Sequence, residues 1–213
     1  MDWFEILKET GIVPVVKIAD AERAADLARA LVSGGLRAAE ITFRTEAAPR
    51  AIELMRRAEP ELLVGAGTVL TESAAEAAAR AGAQFAVAPG FRPSVAAAVR
   101  ELGLPFVPGV MTPSEIEAAT AEGYSLLKFF PAEAAGGVKT LKAFAGPYAG
   151  VRFMPTGGIT PENAPAYLSL GNVVCCGGTY IADERSIAEG DFRAIEERAR
   201  AAVRLVEETR SGS

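Results

Sequence analysis

Short apolar runs alternate along the chain with alanine-rich stretches of helical character. The runs are rich in valine, isoleucine and phenylalanine and occupy 13–18, 39–43, 62–66, 85–88, 105–107, 126–129, 152–155 and 173–176. Near-continuous apolar runs of this length are what strands of a parallel sheet covered on both faces look like. Successive runs begin 20 to 26 residues apart, close to the least that a strand, a crossover helix and two loops can occupy. The pattern predicts eight βα units, with an extra helix over 3–10 in front and a last helix over 191–208.

Chemical marks support these boundaries. Thr112 Pro113 Ser114 Glu115 reads as a capping box with proline at the first helical position, and Thr160 Pro161 as a second cap with proline. Gly34 Gly35, Gly82, Gly103 and Gly123 follow helical stretches, where a left-handed terminus favours glycine. Residues 209–213 are expected to fray. Eight units without an internal linker predict one domain over 1–213, an α/β chain folded as a closed (β/α)₈ TIM barrel with an extra N-terminal helix. A doubly wound open sheet is the competing architecture. Its spaced-glycine fingerprint is missing after the first run, where Lys17 Ile18 Ala19 Asp20 stands.

Composition narrows the function. A net charge of -5 and a pI near 5.0 argue against a broad nucleic-acid footprint, leaving room for a small, locally positive pocket. The opening Met1 Asp2 Trp3 Phe4 Glu5 lacks the basic start of a secretory signal, and no apolar run reaches membrane-spanning length, so a cytoplasmic protein is expected. Cys175 and Cys176 are adjacent, a spacing that suits reduced core residues of a strand. The chain has no histidine, so proton transfer near neutral pH falls to carboxylates, lysines, tyrosines or thiols.

In a barrel the active site lies at the C-terminal strand ends, which directs attention to a short polar set. Lys128 sits in Leu126 Leu127 Lys128 Phe129 Phe130 Pro131, an ammonium in an otherwise buried run. Burial lowers an amine's proton affinity, and a neutral amine attacks carbonyls to form Schiff bases. A lysine that snorkels to the strand end and balances a carboxylate is the plainer reading. Glu40 interrupts Ala38 Ala39 Glu40 Ile41 Thr42 Phe43, and side chains two apart share one face, so Glu40 and Thr42 point the same way. Facing inward, Glu40 could meet Lys128 as a proton carrier; a purely structural ion pair is the alternative. Arg44 follows in a loop, suited to a bidentate hold on a carboxylate and equally consistent with a solvated position. Lys17 is a weaker candidate for the nucleophile or for an anion contact. The pairs Gly157 Gly158 and Gly177 Gly178 close the last two strands, where such barrels often bind phosphate through backbone N–H groups.

These residues stand in blocks that resemble the 2-keto-3-deoxy-6-phosphogluconate aldolase family, which includes 4-hydroxy-2-oxoglutarate aldolases. The blocks are Glu40 Ile41 Thr42 Phe43 Arg44 Thr45 Glu46, Val64 Gly65 Ala66 Gly67 Thr68 Val69, Ala88 Pro89 Gly90, Val107 Pro108 Gly109, Leu127 Lys128 Phe129 Phe130 Pro131 Ala132 Glu133, Pro155 Thr156 Gly157 Gly158 Ile159 and Gly177 Gly178. The resemblance implies a class I aldolase that needs no metal or cofactor, assembles as a homotrimer, and cleaves a phosphorylated keto acid to pyruvate and glyceraldehyde 3-phosphate. It implies Lys128 as Schiff-base lysine and Glu40 as general acid/base, with Arg44 and Thr68 on the substrate carboxylate and Thr156 near the reacting hydroxyl. Pro89 and Phe130 would line the pocket, and Gly157, Gly158, Gly178 and Thr179 would hold the phosphate. Thr179 Tyr180 departs from the Ser-Trp pair found there in the family, a change that bears on phosphate affinity more than on chemistry. The related enzyme for the galactonate epimer differs around the positions of Arg44 and Thr156, which favours the gluconate substrate. Outside the resemblance, a sugar-phosphate barrel working through a metal enolate and a non-catalytic ligand-binding scaffold are the rival functions.

Overall fold

Every strand pairing in the computed structural model, which describes residues 2–212, is parallel. One sheet contains β1 (Ile12–Val16), β2 (Ala38–Thr42), β3 (Leu63–Gly67), β4 (Ala86–Val87), β5 (Phe106–Val107) and β9 (Cys176–Gly178), in the order β5-β4-β3-β2-β1-β9. The other contains β6 (Gly109–Val110), β7 (Leu126–Phe129) and β8 (Arg152–Pro155), in the order β6-β7-β8. Only Pro108 separates β5 from β6, and single bridges Phe153↔Val173 and Thr156↔Gly177 set β8 beside the run into β9. The architecture is an α/β fold on a curled parallel sheet.

Each apolar run coincides with a strand to within a few residues. The fifth is divided because Pro108 has no N–H to give to a ladder. The eighth lies later than its apolar letters suggest: Val173 makes only a bridge, while Gly177 and Gly178 pair with Val13 and Pro14. Side-chain hydrophobicity does not register a strand whose last residues are glycine.

The helices are α1 (Trp3–Thr10), α2 (Ala24–Ser33), α3 (Ala48–Ala58), α4 (Glu72–Arg80), α5 (Pro93–Glu101), α6 (Pro113–Ala121), α7 (Gly137–Phe144), α8 (Ala164–Leu168), α9 (Glu184–Glu189) and α10 (Phe192–Ser211). The capping box at Thr112 and Glu115 is formed as expected. Thr160 exchanges the bonds of a cap with Asn163 in place of a glutamate, its N–H donating to Asn163 Oδ1 at 2.8 Å and its hydroxyl accepting from Asn163 N–H at 3.4 Å, while regular α8 begins at Ala164. Asp191 caps α10, whose last turn extends to Ser211; Ser213 lies outside the described residues.

Strand alternation divides the interior in two. Residues facing outward, such as Val16, Ala39, Ile41, Val64, Leu127 and Phe129, pack against the helices. Those facing inward, including Val13, Ala38, Leu63, Phe85, Leu126 and Met154, form a separate cluster. Leu7 of α1 is fully buried against that inner cluster and brings Trp3, Phe4 and Ile6 over it. Burying such a leucine contributes roughly 1.5–3 kcal/mol, which fixes α1 across this end. The same parity separates the cysteines: Cys175 faces inward and Cys176 faces the helices, both as free thiols. Burial pushes the Cys175 thiol up to about 12, as expected of an inert core residue.

Candidate active site

Inward parity carries two charged side chains into the layer above the inner apolar cluster. Glu40 stands two residues beyond Ala38 on β2, and Lys128 two beyond Leu126 on β7. They are 88 positions apart in sequence, yet Lys128 Nζ donates to Glu40 Oε1 at 3.2 Å. Both are buried, Glu40 fully and Lys128 with 4% of its surface exposed. Burial of an ion pair costs several kcal/mol per charge in desolvation. Little in the pair's surroundings offsets that cost: Glu40 Oε2 is buried without a hydrogen-bond partner among the described residues. Lys128 Nζ also lies 5.6 Å from the centre of the Phe130 ring, whose face favours a cation. An amine and a carboxylate held together, one carboxylate oxygen free, can pass a proton between themselves and a third group.

The pair opens into a cavity of about 290 Å³, lined further by Thr42, Arg44, Thr68, Pro89, Thr156, Gly157, Gly158 and Thr179. Two cations face one carboxylate there, so the cavity is locally positive inside an acidic chain. Arg44 is aimed by Thr42, whose hydroxyl donates to Val16 O at 2.9 Å and accepts from Arg44 Nε at 3.2 Å, leaving the outer guanidinium nitrogens to grip an anion. Thr68 holds a left-handed backbone with φ 58°, rare for a β-branched residue and a strain typical of functional sites. Beyond β8, Gly157 and Gly158 have φ of 98° and 82°, a left-handed backbone that favours glycine. Successive glycines in such a turn at a cavity wall bring backbone N–H groups close to a bound anion.

Ten of the eleven expected site residues therefore line one cavity. Gly178 does not. Alternation turns it outward, where an added Cβ would lie 2.9 Å from the Tyr180 ring, while Gly177 turns inward to the wall. Lys17 is also elsewhere, paired with Glu184 at 2.8 Å in a different hollow. A larger hollow of about 600 Å³ lies beside α1, but Arg210 and Arg152 there donate to backbone carbonyls of Lys8, Val174, Ala149 and Val151. Among the described residues no three acidic or sulfur side chains cluster to hold a metal.

Sequence reasoning missed Val15 and Ile159 on the wall and the part played by Gly67, and it did not tell Gly177, which lines the cavity, from its neighbour Gly178. Gly67 sits beneath Glu40, and a Cβ there would lie 2.6 Å from Glu40 Cγ. Its register was a usable signal, since Glu40 pairs with Gly65 and Thr42 with Gly67, so the inward glycines of β3 flank the glutamate.

A family model described as KDPG and KHG aldolase matches residues 4–198. The chain is 46% identical over 192 residues to the 2-dehydro-3-deoxy-phosphogluconate aldolase of Treponema pallidum, covering 90% of this chain and 91% of that protein. It is 44% identical over 198 residues to the KHG/KDPG aldolase of Escherichia coli K12, covering 93% of each. Among solved structures, the KDPG aldolase of Legionella pneumophila, with pyruvate captured as a covalent carbinolamine, superposes with a TM-score of 0.91 at 39% identity, over 95% of this chain and 98% of that one. With a model match over most of its length and relatives this similar end to end, the chain belongs to the KDPG and KHG aldolase family.

Proposed function

We propose that this chain is a class I aldolase, cleaving 2-dehydro-3-deoxy-6-phosphogluconate to pyruvate and D-glyceraldehyde 3-phosphate. The observation that carries the reading is the buried contact of 3.2 Å between Lys128 and Glu40. A carboxylate at that distance takes the ammonium proton, and the free amine of Lys128 adds to the C2 ketone to give a carbinolamine. Glu40 returns that proton to the departing hydroxyl, and loss of water leaves a protonated imine. The C3–C4 bond then breaks, its electron pair moving into the imine, while Glu40, through a water, removes the C4 hydroxyl proton. The aldehyde leaves, the enamine is protonated at C3, and hydrolysis of the imine frees pyruvate and the lysine. Arg44 and Thr68 hold the keto-acid carboxylate, Pro89 and Phe130 shape the wall, and Thr156 stands near the reacting hydroxyl. Gly157, Gly158 and Thr179 receive the phosphate; Gly178 contributes backbone only, since its α-carbon faces Tyr180. No step requires a metal ion. The cavity volume of about 290 Å³ suits a small phosphorylated acid. The name of the Escherichia coli relative supports 4-hydroxy-2-oxoglutarate as a second substrate.

The same reading takes the whole chain as one domain and closes its sheet into a (β/α)₈ barrel of eight strands, α1 standing outside the repeat. The continuity of β5 and β6 through Pro108 and the bridges from β8 to the last strand support that closure. It also takes the enzyme as a cytoplasmic homotrimer, and light scattering on purified protein tests the subunit number. The activity is tested by a coupled assay for pyruvate release with the 6-phosphogluconate-derived acid, its galactonate epimer and 4-hydroxy-2-oxoglutarate, with a chelator present. Release from the first substrate is expected to survive chelation. Loss of activity on chelation would instead favour the metal-enolate chemistry, and release from none of the three would favour a ligand-binding scaffold.

A further inference from the structure

Glu133 belongs to the Lys128 block but touches neither Glu40 nor Lys128, and the chemistry above gives it no work. Its contacts concern the glycine cradle. The chain after β7 runs beside the chain after β8: Ala132 N–H donates to Thr156 O at 2.8 Å and Glu133 N–H to Gly157 O at 3.1 Å. The Glu133 side chain then passes under Gly158, where an added Cβ would lie 2.6 Å from its Cγ. Although Glu133 is a surface residue, its carboxylate reaches inward and accepts a hydrogen bond from Tyr167, which is fully buried on α8. Gly137, at the start of α7, closes over the pair: a Cβ there would lie 2.9 Å from Tyr167 Oη and 3.1 Å from Glu133 Oε1. Burial and then the Glu133 hydrogen bond raise the Tyr167 hydroxyl's pKa, keeping it a donor throughout the working pH range.

The loop 157–163 is thus held at both ends by one residue of another loop, at Gly157 through the backbone and at α8 through Tyr167. Asn163 completes the frame by donating to Gly158 O at 2.9 Å. The tie does a second thing. A carboxylate loose beside Gly158 would repel an arriving phosphate, and the Tyr167 bond turns that charge inward, away from the cradle.

We propose that Glu133 and Tyr167 are positioning residues for the phosphate subsite: they set the Gly157–Gly158 backbone and park a negative charge away from it, so that phosphorylated substrate is favoured. This inference rests on the aldolase reading for its substrate, and the test separates the two. Tyr167→Phe keeps the buried ring and removes the tie; Glu133→Ala removes the wedge as well; Glu133→Gln keeps a side-chain oxygen that accepts from Tyr167. Tyr167→Phe and Glu133→Ala are expected to raise KM for the phosphorylated keto acid about tenfold, as for loss of one charge-assisted hydrogen bond, with kcat nearly unchanged. Glu133→Gln stays within roughly twofold of the parent, a difference of under about 0.5 kcal/mol. The pyruvate concentration needed for half-maximal borohydride trapping is expected to be the same in all variants, because pyruvate carries no phosphate. Binding of inorganic phosphate, measured by calorimetry, is expected to weaken in the first two variants, and this reads the cradle without turnover. Equal losses on phosphorylated substrate and on pyruvate, or phosphate binding untouched in Tyr167→Phe and Glu133→Ala, would overturn the inference. A wild-type protein that binds phosphate through this pair but releases no pyruvate would overturn the aldolase reading alone.

Discussion

Gly67→Ala is the most searching perturbation of the site, because it changes one methyl group and no functional side chain. The added Cβ would lie 2.6 Å from Glu40 Cγ, whereas carbon atoms in contact prefer about 3.5–4.0 Å. One of the two must therefore move by about 1 Å. Gly67 is held in the β2–β3 ladder opposite Thr42, so the glutamate side chain is the part free to give way. A reacting group displaced by about 1 Å loses on the order of a hundredfold in rate. The expected result is kcat for pyruvate release down by roughly that factor, while borohydride trapping of pyruvate persists because Lys128 stands on another strand. Overpacking is expected to cost about 1–3 kcal/mol of stability, which urea denaturation measures. Near-wild-type kcat in a folded Gly67→Ala protein would refute the argument that the position of the Glu40 carboxylate governs turnover.

Other outcomes follow from the same geometry. Glu40→Gln is expected to retain trapping with pyruvate but to lose roughly 10²–10⁴ in kcat, the usual worth of a positioned acid/base. Lys128→Met abolishes trapping and leaves Glu40 charged and unpaired in the interior, so stability falls by about 3–5 kcal/mol, read by urea midpoint. Asp183, the cap of α9, is held down to about 2 by the backbone N–H of Ser186, with the Ser186 hydroxyl and Arg198 adding to it. A depressed carboxylate stabilises the fold above its unfolded pKa near 3.9, and that contribution is lost as pH falls through about 2. With 40% of the side chain exposed, the effect discounts to about 1 kcal/mol, so Asp183→Asn should be less stable at pH 6 and the gap should narrow as pH drops below 4.

The sequence made the site's chemistry legible because charge is conspicuous in apolar strands. Glu40 and Lys128 stood out as polar letters in buried runs, and two-residue alternation placed both inward. The same alternation, applied to the last strand, assigns Gly177 to the cavity and Gly178 to the outer face; glycine has no side chain to betray which face it occupies, so the pair looked equivalent in sequence. Gly67 is legible only through the pairing of β2 with β3, since its role is to leave space for a side chain from the neighbouring strand. Thr160 Pro161 carries the letters of a helix cap, and Thr160 does exchange capping bonds with Asn163, just ahead of the regular helix that begins at Ala164. The Glu133–Tyr167 contact joins residues 34 positions apart through the packing of α8, which no periodicity encodes.

The central claim is that the nitrogen of Lys128 forms the covalent bond to the keto acid. Incubation with pyruvate and borohydride, digestion and mass spectrometry locate the reduced adduct. The account predicts a single modified peptide carrying the label on Lys128; an adduct on Lys17 or any other lysine, with Lys128 unlabelled, would contradict it.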